Sequence, residues 1–180
     1  MRFIKALTAI AAMSLLVVAG PLPANGQEHE HEHEATEGEP SEIASLSLQE
    51  IEGLKMGDGM GLAEPAELNH YPGPKHVLEL AADLGLSDSQ RVEVESIRAS
   101  MLDRAIPIGE KIIEAERMLS RRFEHQHMDD EALRTATSEI AVLYGELRYV
   151  HLAAHLQTKA LLTVEQIAAY DRLRGYAEDG

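Results

Sequence analysis

The sequence predicts an all-α protein: a long antiparallel helical hairpin with shorter flanking helices, two copies of which form a curved, cradle-like dimer. Three observations carry that expectation. Only 4% of the 180 residues are aromatic, while helix-favouring Ala, Leu and Glu abound. Two long stretches repeat their apolar residues at helical spacing, and neither alternates as a strand would. A short polar break at His125–Met128 separates them, so the two helices should turn back on each other.

Composition also excludes several functions. The chain has no cysteine and no tryptophan, which rules out disulfides, thiolate metal sites and cysteine nucleophiles. A net charge of −15 leaves no basic patch for phosphates, so nucleic acid is not an expected partner. There is no Gly-rich phosphate loop, no G-x-S-x-G and no H-E-x-x-H. No pair of carboxylates and no Ser/His/Asp set is singled out by spacing, and the chain is not expected to be an enzyme.

Residues 1–26 read as a cleaved secretory signal. Arg2 and Lys5 precede an apolar run of 14 residues from Ala6 to Ala19. That is short of the roughly 20 needed to span a bilayer. Pro21 and Pro23 end it, and Ala24-Asn25-Gly26 offers small residues for cleavage. Losing two cations with the leader moves the net charge from −15 to −17. The expected location is the periplasm.

Residues 27–40 form a His/Glu-rich tail in which Gln27 to Glu34 alternate acid and imidazole, a composition that favours disorder. His29, His31 and His33 there could capture a metal weakly. Cleavage after Gly26 would leave Gln27-Glu28-His29 as a terminus able to wrap Cu²⁺ or Ni²⁺ in a square of nitrogens. Residues 41–73 comprise a weak helical pattern (Ile43, Leu46, Ile51, Leu54) and a loop or wrapping segment broken by Gly57, Gly59, Gly61, Pro65, Pro72 and Gly73. Residues 74–177 form the helical domain. It begins with a short helix from Pro74 to Leu84, closed by Gly85 in the left-handed conformation.

The first long helix starts at Ser87 with a stripe of Val94, Ile97, Met101, Ala105, Ile108, Ile112, Ala115 and Leu119. Pro107 inside it should bend it. The second starts at Asp129 with a stripe of Leu133, Ala136, Ile140, Leu143, Leu147, Val150, Ala154, Thr158 and Leu161. Two such helices alone cannot enclose a core, so the stripes need the flanking helices and a second subunit.

Leu86-Ser87-Asp88-Ser89-Gln90 and Leu162-Thr163-Val164-Glu165-Gln166 share one pattern. The hydroxyl caps the N3 amide, the Gln at N3 reaches back to the cap residue, and the preceding Leu packs as a staple. Over roughly Pro72–Tyr176 the chain resembles the periplasmic LTxxQ proteins, which include the Spy and CpxP chaperone/stress proteins and related heavy-metal sensors. Leu162–Gln166 matches the motif in full, and Ser87 stands where Thr is typical. The resemblance implies an all-α, usually dimeric cradle of the Gram-negative periplasm. It implies an ATP-independent chaperone or envelope-stress adaptor that binds partially unfolded proteins on a concave surface. A membrane sensor kinase or sigma-factor regulator would be the signalling partner. The alternative it implies is a protein that binds or senses Zn, Ni, Co or Cu. The strongly acidic chain departs from the basic cradles of the family, so client preference does not carry over.

His151 and His155 stand one helical turn apart, so both imidazoles fall on one flank of the second long helix. Such a pair chelates a divalent metal when a third ligand arrives, with Glu95, Glu110, Glu114, His76 or a residue of a second subunit as candidates. The same spacing also suits solvated or interface histidines. The family's metal sensors carry a similar helical pair just before the second motif. His125 and His127 at the hairpin tip, and Arg117, Arg121 and Arg122 near the end of the first long helix, read as surface groups, the cations complementing the helix terminus.

Overall fold

The structure, a computed structural model, describes residues 41–176. The leader and the 27–40 tail, with His29, His31 and His33, lie outside those residues. The described residues are all-helical, with α1 Leu48–Met56, α2 Glu64–Glu67, α3 Pro74–Glu79, α4 Asp88–Glu124, α5 Asp130–Leu161 and α6 Val164–Arg174. Among the described residues no helix is long and apolar enough to cross a membrane.

α4 and α5 form the hairpin. Asp129 caps α5 by accepting from the Ala132 amide. Pro107 lies within α4, which runs unbroken from Asp88 to Glu124. The stripe residues Val94, Ala105 and Ile112 of α4, and Ile140, Leu147, Val150, Ala154 and Thr158 of α5, are buried. The shorter helices cover part of the hairpin. α1 lies across α4 with Gly53 and Leu54 buried, and Ile43, Leu46 and Leu54 join Ala105, Ile112, Ile113, Leu147 and Val150 in the larger apolar cluster. The approach is close enough that a Cβ at Gly109 would overlap the Leu54 carbonyl. Upstream of α1, the Ser45 hydroxyl donates to Glu116 at 2.7 Å.

At the open end of the hairpin, Val77 and Leu84 meet Val94 and Tyr170 in a second cluster. The helix expected from Pro74 to Leu84 stops at Glu79. From Leu80 the chain continues in successive turns, closed by Gly85 at φ +59° and the Leu86 amide bonding to the Ala81 carbonyl.

The segment 57–73 is a strap. It leaves α1 through Gly57 at φ +69°, whose missing side chain lets it lie against Leu102 and Ile106 of α4. It makes one short helix, α2, then crosses to α5 and α6. Pro72, Gly73 and Pro74 are buried, and the Lys159 ammonium sits 3.6 Å from the centre of the Tyr71 ring.

Candidate functional site

Beneath the strap lies an open cavity of about 540 Å³, walled by α4, α5 and the 57–76 segment. His151 and His155 form part of its lining. Of the two bland readings, solvated or interface histidines, the solvated one does not hold, since their exposures are 4% and 7%. The reason is the strap, which covers the α5 face that sequence periodicity alone leaves open.

Backbone anchors one of the two imidazoles. His155 Nδ1 lies 2.7 Å from the Tyr71 carbonyl. A carbonyl only accepts, so Nδ1 carries a proton, and in the neutral ring the lone pair is on Nε2. The ring passes beside Gly73. A Cβ there would stand 2.9 Å from His155 Nε2 and 2.8 Å from Glu67 Oε1, so imidazole and carboxylate face the same small space. His151 packs against Gly59, where a Cβ would stand 3.4 Å from Nδ1, and its Nε2 is buried without a hydrogen-bond partner. Burial, and then the neighbouring His155, holds the His151 imidazole below its ordinary pKa, against the opposing pull of Asp58.

Glu67 is the hub. Its Oε2 accepts from the Tyr170 hydroxyl at 2.6 Å, and its Oε1 lies 3.2 Å from His76 Nδ1. Tyr170 Oη is also 3.5 Å from His76 Nδ1. Burial, helped by the bond to Glu67, pushes the Tyr170 hydroxyl pKa well up, so it remains a proton donor. Next along α6, Asp171 Oδ2 pairs with His70 Nδ1 at 2.8 Å, which ties the same stretch of strap down a second time.

Of the proposed third ligands, His76 lines the cavity. Glu95, Glu110 and Glu114 do not, because each is exposed on α4, with Glu114 paired to Arg117. His125 and His127 are exposed between α4 and α5. Sequence reasoning missed Glu67, Asp58 and Tyr170. The available signal was the density of Gly and Pro between 57 and 74. It marks places where backbone approaches a neighbour closely, as Gly59 and Gly73 do here.

The donors suit a borderline metal ion. They are an imidazole whose far nitrogen is held by a carbonyl, a second imidazole with an orphaned nitrogen, and a carboxylate. Among the described residues no three such groups already converge on one point. The capping residues Leu86, Ser87, Gln90, Leu162, Thr163 and Gln166 lie apart from the cavity lining. Ser87 and Thr163 are the N-caps of α4 and α6, each in a complete capping box with Gln90 or Gln166.

Comparison of the chain with family models, with curated proteins and with solved structures returns no match.

Proposed function

We propose that this chain is an exported, non-enzymatic binding protein of the periplasm whose strap-covered cavity takes a transition-metal ion through His155, His151 and Glu67. The observation that carries this reading is the His155 ring, with Nδ1 anchored on the Tyr71 carbonyl and Nε2 free beside Glu67. That arrangement sets the tautomer and direction of a metal-ligating histidine before any metal arrives. The buried His151 Nε2 supports it, because a polar atom without a partner is costly unless something else satisfies it. A bound ion would supply positive charge to a site rich in carboxylate. Metal capture then competes with the Glu67 bonds to Tyr170 and His76, which links occupancy to the hold of the strap on α6. The likeness of the His pair to that of LTxxQ metal sensors points the same way.

The test is calorimetric titration with Zn²⁺, Ni²⁺, Co²⁺ and Cu²⁺. It uses the mature chain with His29, His31 and His33 changed to Gln, so that only the buried site responds. Micromolar binding that falls at least tenfold in His151→Ala/His155→Ala, and measurably in Glu67→Gln, is expected. Affinity equal in parent and variants would refute the reading.

A second reading, capture of partially unfolded proteins, is favoured by the far half of the hairpin. There Met118 and Phe123 are exposed, and a shallow cleft of about 310 Å³ opens between α4 and α5 over Ala115, Leu119 and Ala136. Suppression of aggregation of a model client, weakened by Met118→Glu/Phe123→Glu but indifferent to metal, would support it over the first.

A further inference from the structure

The cavity beneath the strap is far larger than a metal ion requires. At about 540 Å³ it falls within the range of small-molecule sites, about 300–1,000 Å³. A single water takes about 30 Å³, and a first-row metal ion takes no more. His155, His151 and Glu67 supply two imidazoles and one carboxylate. Such an ion takes roughly four to six ligands, so positions are left for groups that arrive with it.

The rest of the lining shows what those groups are. Arg98 of α4, which is half-buried, and Lys75 at the start of α3 both face the cavity. The ion pairs among the described residues are His70–Asp171, His76–Glu67, Arg117–Glu114 and Arg134–Asp130. Neither cavity cation belongs to one, although acids outnumber Lys and Arg in this chain by 31 to 16. A guanidinium drawn part-way out of water without an acid partner is ready for a carboxylate, which it grips with two parallel N–H donors. Ala63, Met101 and Leu102 in the same lining offer apolar surface to a carbon skeleton.

We propose, building on metal capture by His155, His151 and Glu67, that the cargo is not the bare ion but its chelate with an α-amino acid, whose carboxylate lies against Arg98 and Lys75. Charge narrows the class. The lining carries Asp58, Glu64 and Glu67 against Lys75 and Arg98. With neutral imidazoles it is one negative charge in excess. A divalent ion reverses that to one positive, and a chelator with a single negative charge restores neutrality. An amino acid in its chelating form is such an anion. Its amine and one carboxylate oxygen close a ring on the ion, and the other oxygen is left for the guanidinium. A tricarboxylate such as citrate would overshoot and leave the site negative.

Added amino acid separates the two kinds of cargo. Free histidine strips nickel from a site that takes the bare ion, whereas it completes a site that takes the chelate. Equilibrium dialysis uses the mature chain with His29, His31 and His33 changed to Gln, together with Ni²⁺ and radiolabelled L-histidine. One histidine retained per nickel is expected, with none retained when nickel is left out. Arg98→Gln should lower histidine retention at least tenfold, yet hold Ni²⁺ alone no less well, since a repelling cation is gone. Arg98→Lys should recover part of the retention, and all three proteins should share one helical circular dichroism. Citrate in place of histidine should not be retained. Nickel that the chain holds alone but loses to histidine overturns the proposal and leaves the metal site standing. Equal histidine retention by parent and Arg98→Gln overturns it as well, as does citrate retained as well as histidine. Binding of neither nickel nor its chelate removes the metal site and the proposal together.

Discussion

Gln90 and Gln166 hold each other across the open end of the hairpin by a reciprocal pair of amide hydrogen bonds, Nε2 to Oε1, of 2.8 and 3.1 Å. Each is also the N3 residue of its own capping box, with Oε1 accepting from the Ser87 or Thr163 amide at 3.0 Å. Gln90 Nε2 further donates to the Leu161 carbonyl at 2.9 Å. The two caps are thus one network, which fixes where α6 begins relative to α4.

That network makes the two glutamines energetically dependent. Gln90→Ala and Gln166→Ala should each cost about 1–3 kcal/mol, because each strands partners of the other. The double variant should cost less than the sum, with a coupling of ~0.5 kcal/mol or more. Urea unfolding of the four proteins measures this, and simple additivity would mean that the caps act separately.

Gly109→Ala tests how closely α1 rides on α4. Alanine is the better helix former by about 1 kcal/mol. Its methyl would nonetheless have to displace the Leu54 carbonyl, which is backbone and cannot rotate aside. Net destabilisation of roughly 1–3 kcal/mol is expected by denaturant titration. A neutral or stabilised variant would show that α1 is held loosely.

Tyr170→Phe removes the hydroxyl that donates to Glu67 and leaves a shielded carboxylate short of a donor. The loss should be about 1–3 kcal/mol, with the strap loosening before the hairpin melts. Hydrogen exchange should show faster opening around 67–76 at undiminished protection of α4. Uniform change throughout would argue against a separable strap.

His151 should make the protein acid-sensitive. Its pKa is lowered in the folded state by burial and by His155, whereas the unfolded side chain titrates near 6.5. Between the unfolded value and the lower folded one, the unfolded chain binds more protons, so stability declines as pH falls below about 6.5. Melting of the metal-free protein at pH 7.5 and 5.5 should show a smaller difference for His151→Gln than for the parent. An equal difference would place the acid sensitivity elsewhere.

Local regularities were legible along the chain. The 3–4 spacing of apolar residues is a property of adjacent turns, so α4 and α5 could be read directly, as could Ser87, Thr163 and Asp129, whose capping partners lie three residues away. The i, i+4 relation of His151 and His155 was legible for the same reason. What surrounds them was not. Glu67 meets Tyr170 across 103 positions, and Tyr71 meets His155 across 84. No periodicity encodes such pairs, because they exist only once the strap has crossed the hairpin. An all-α hairpin, two capped helix starts and a histidine pair on one flank are therefore written in the local pattern of residues. That this flank is covered follows from the folded chain alone, with Gly59 and Gly73 admitting the backbone over the rings and Glu67 beside them. Burial and orphaned polarity belong to packing across distant segments, and a linear pattern reports only contacts within a few turns.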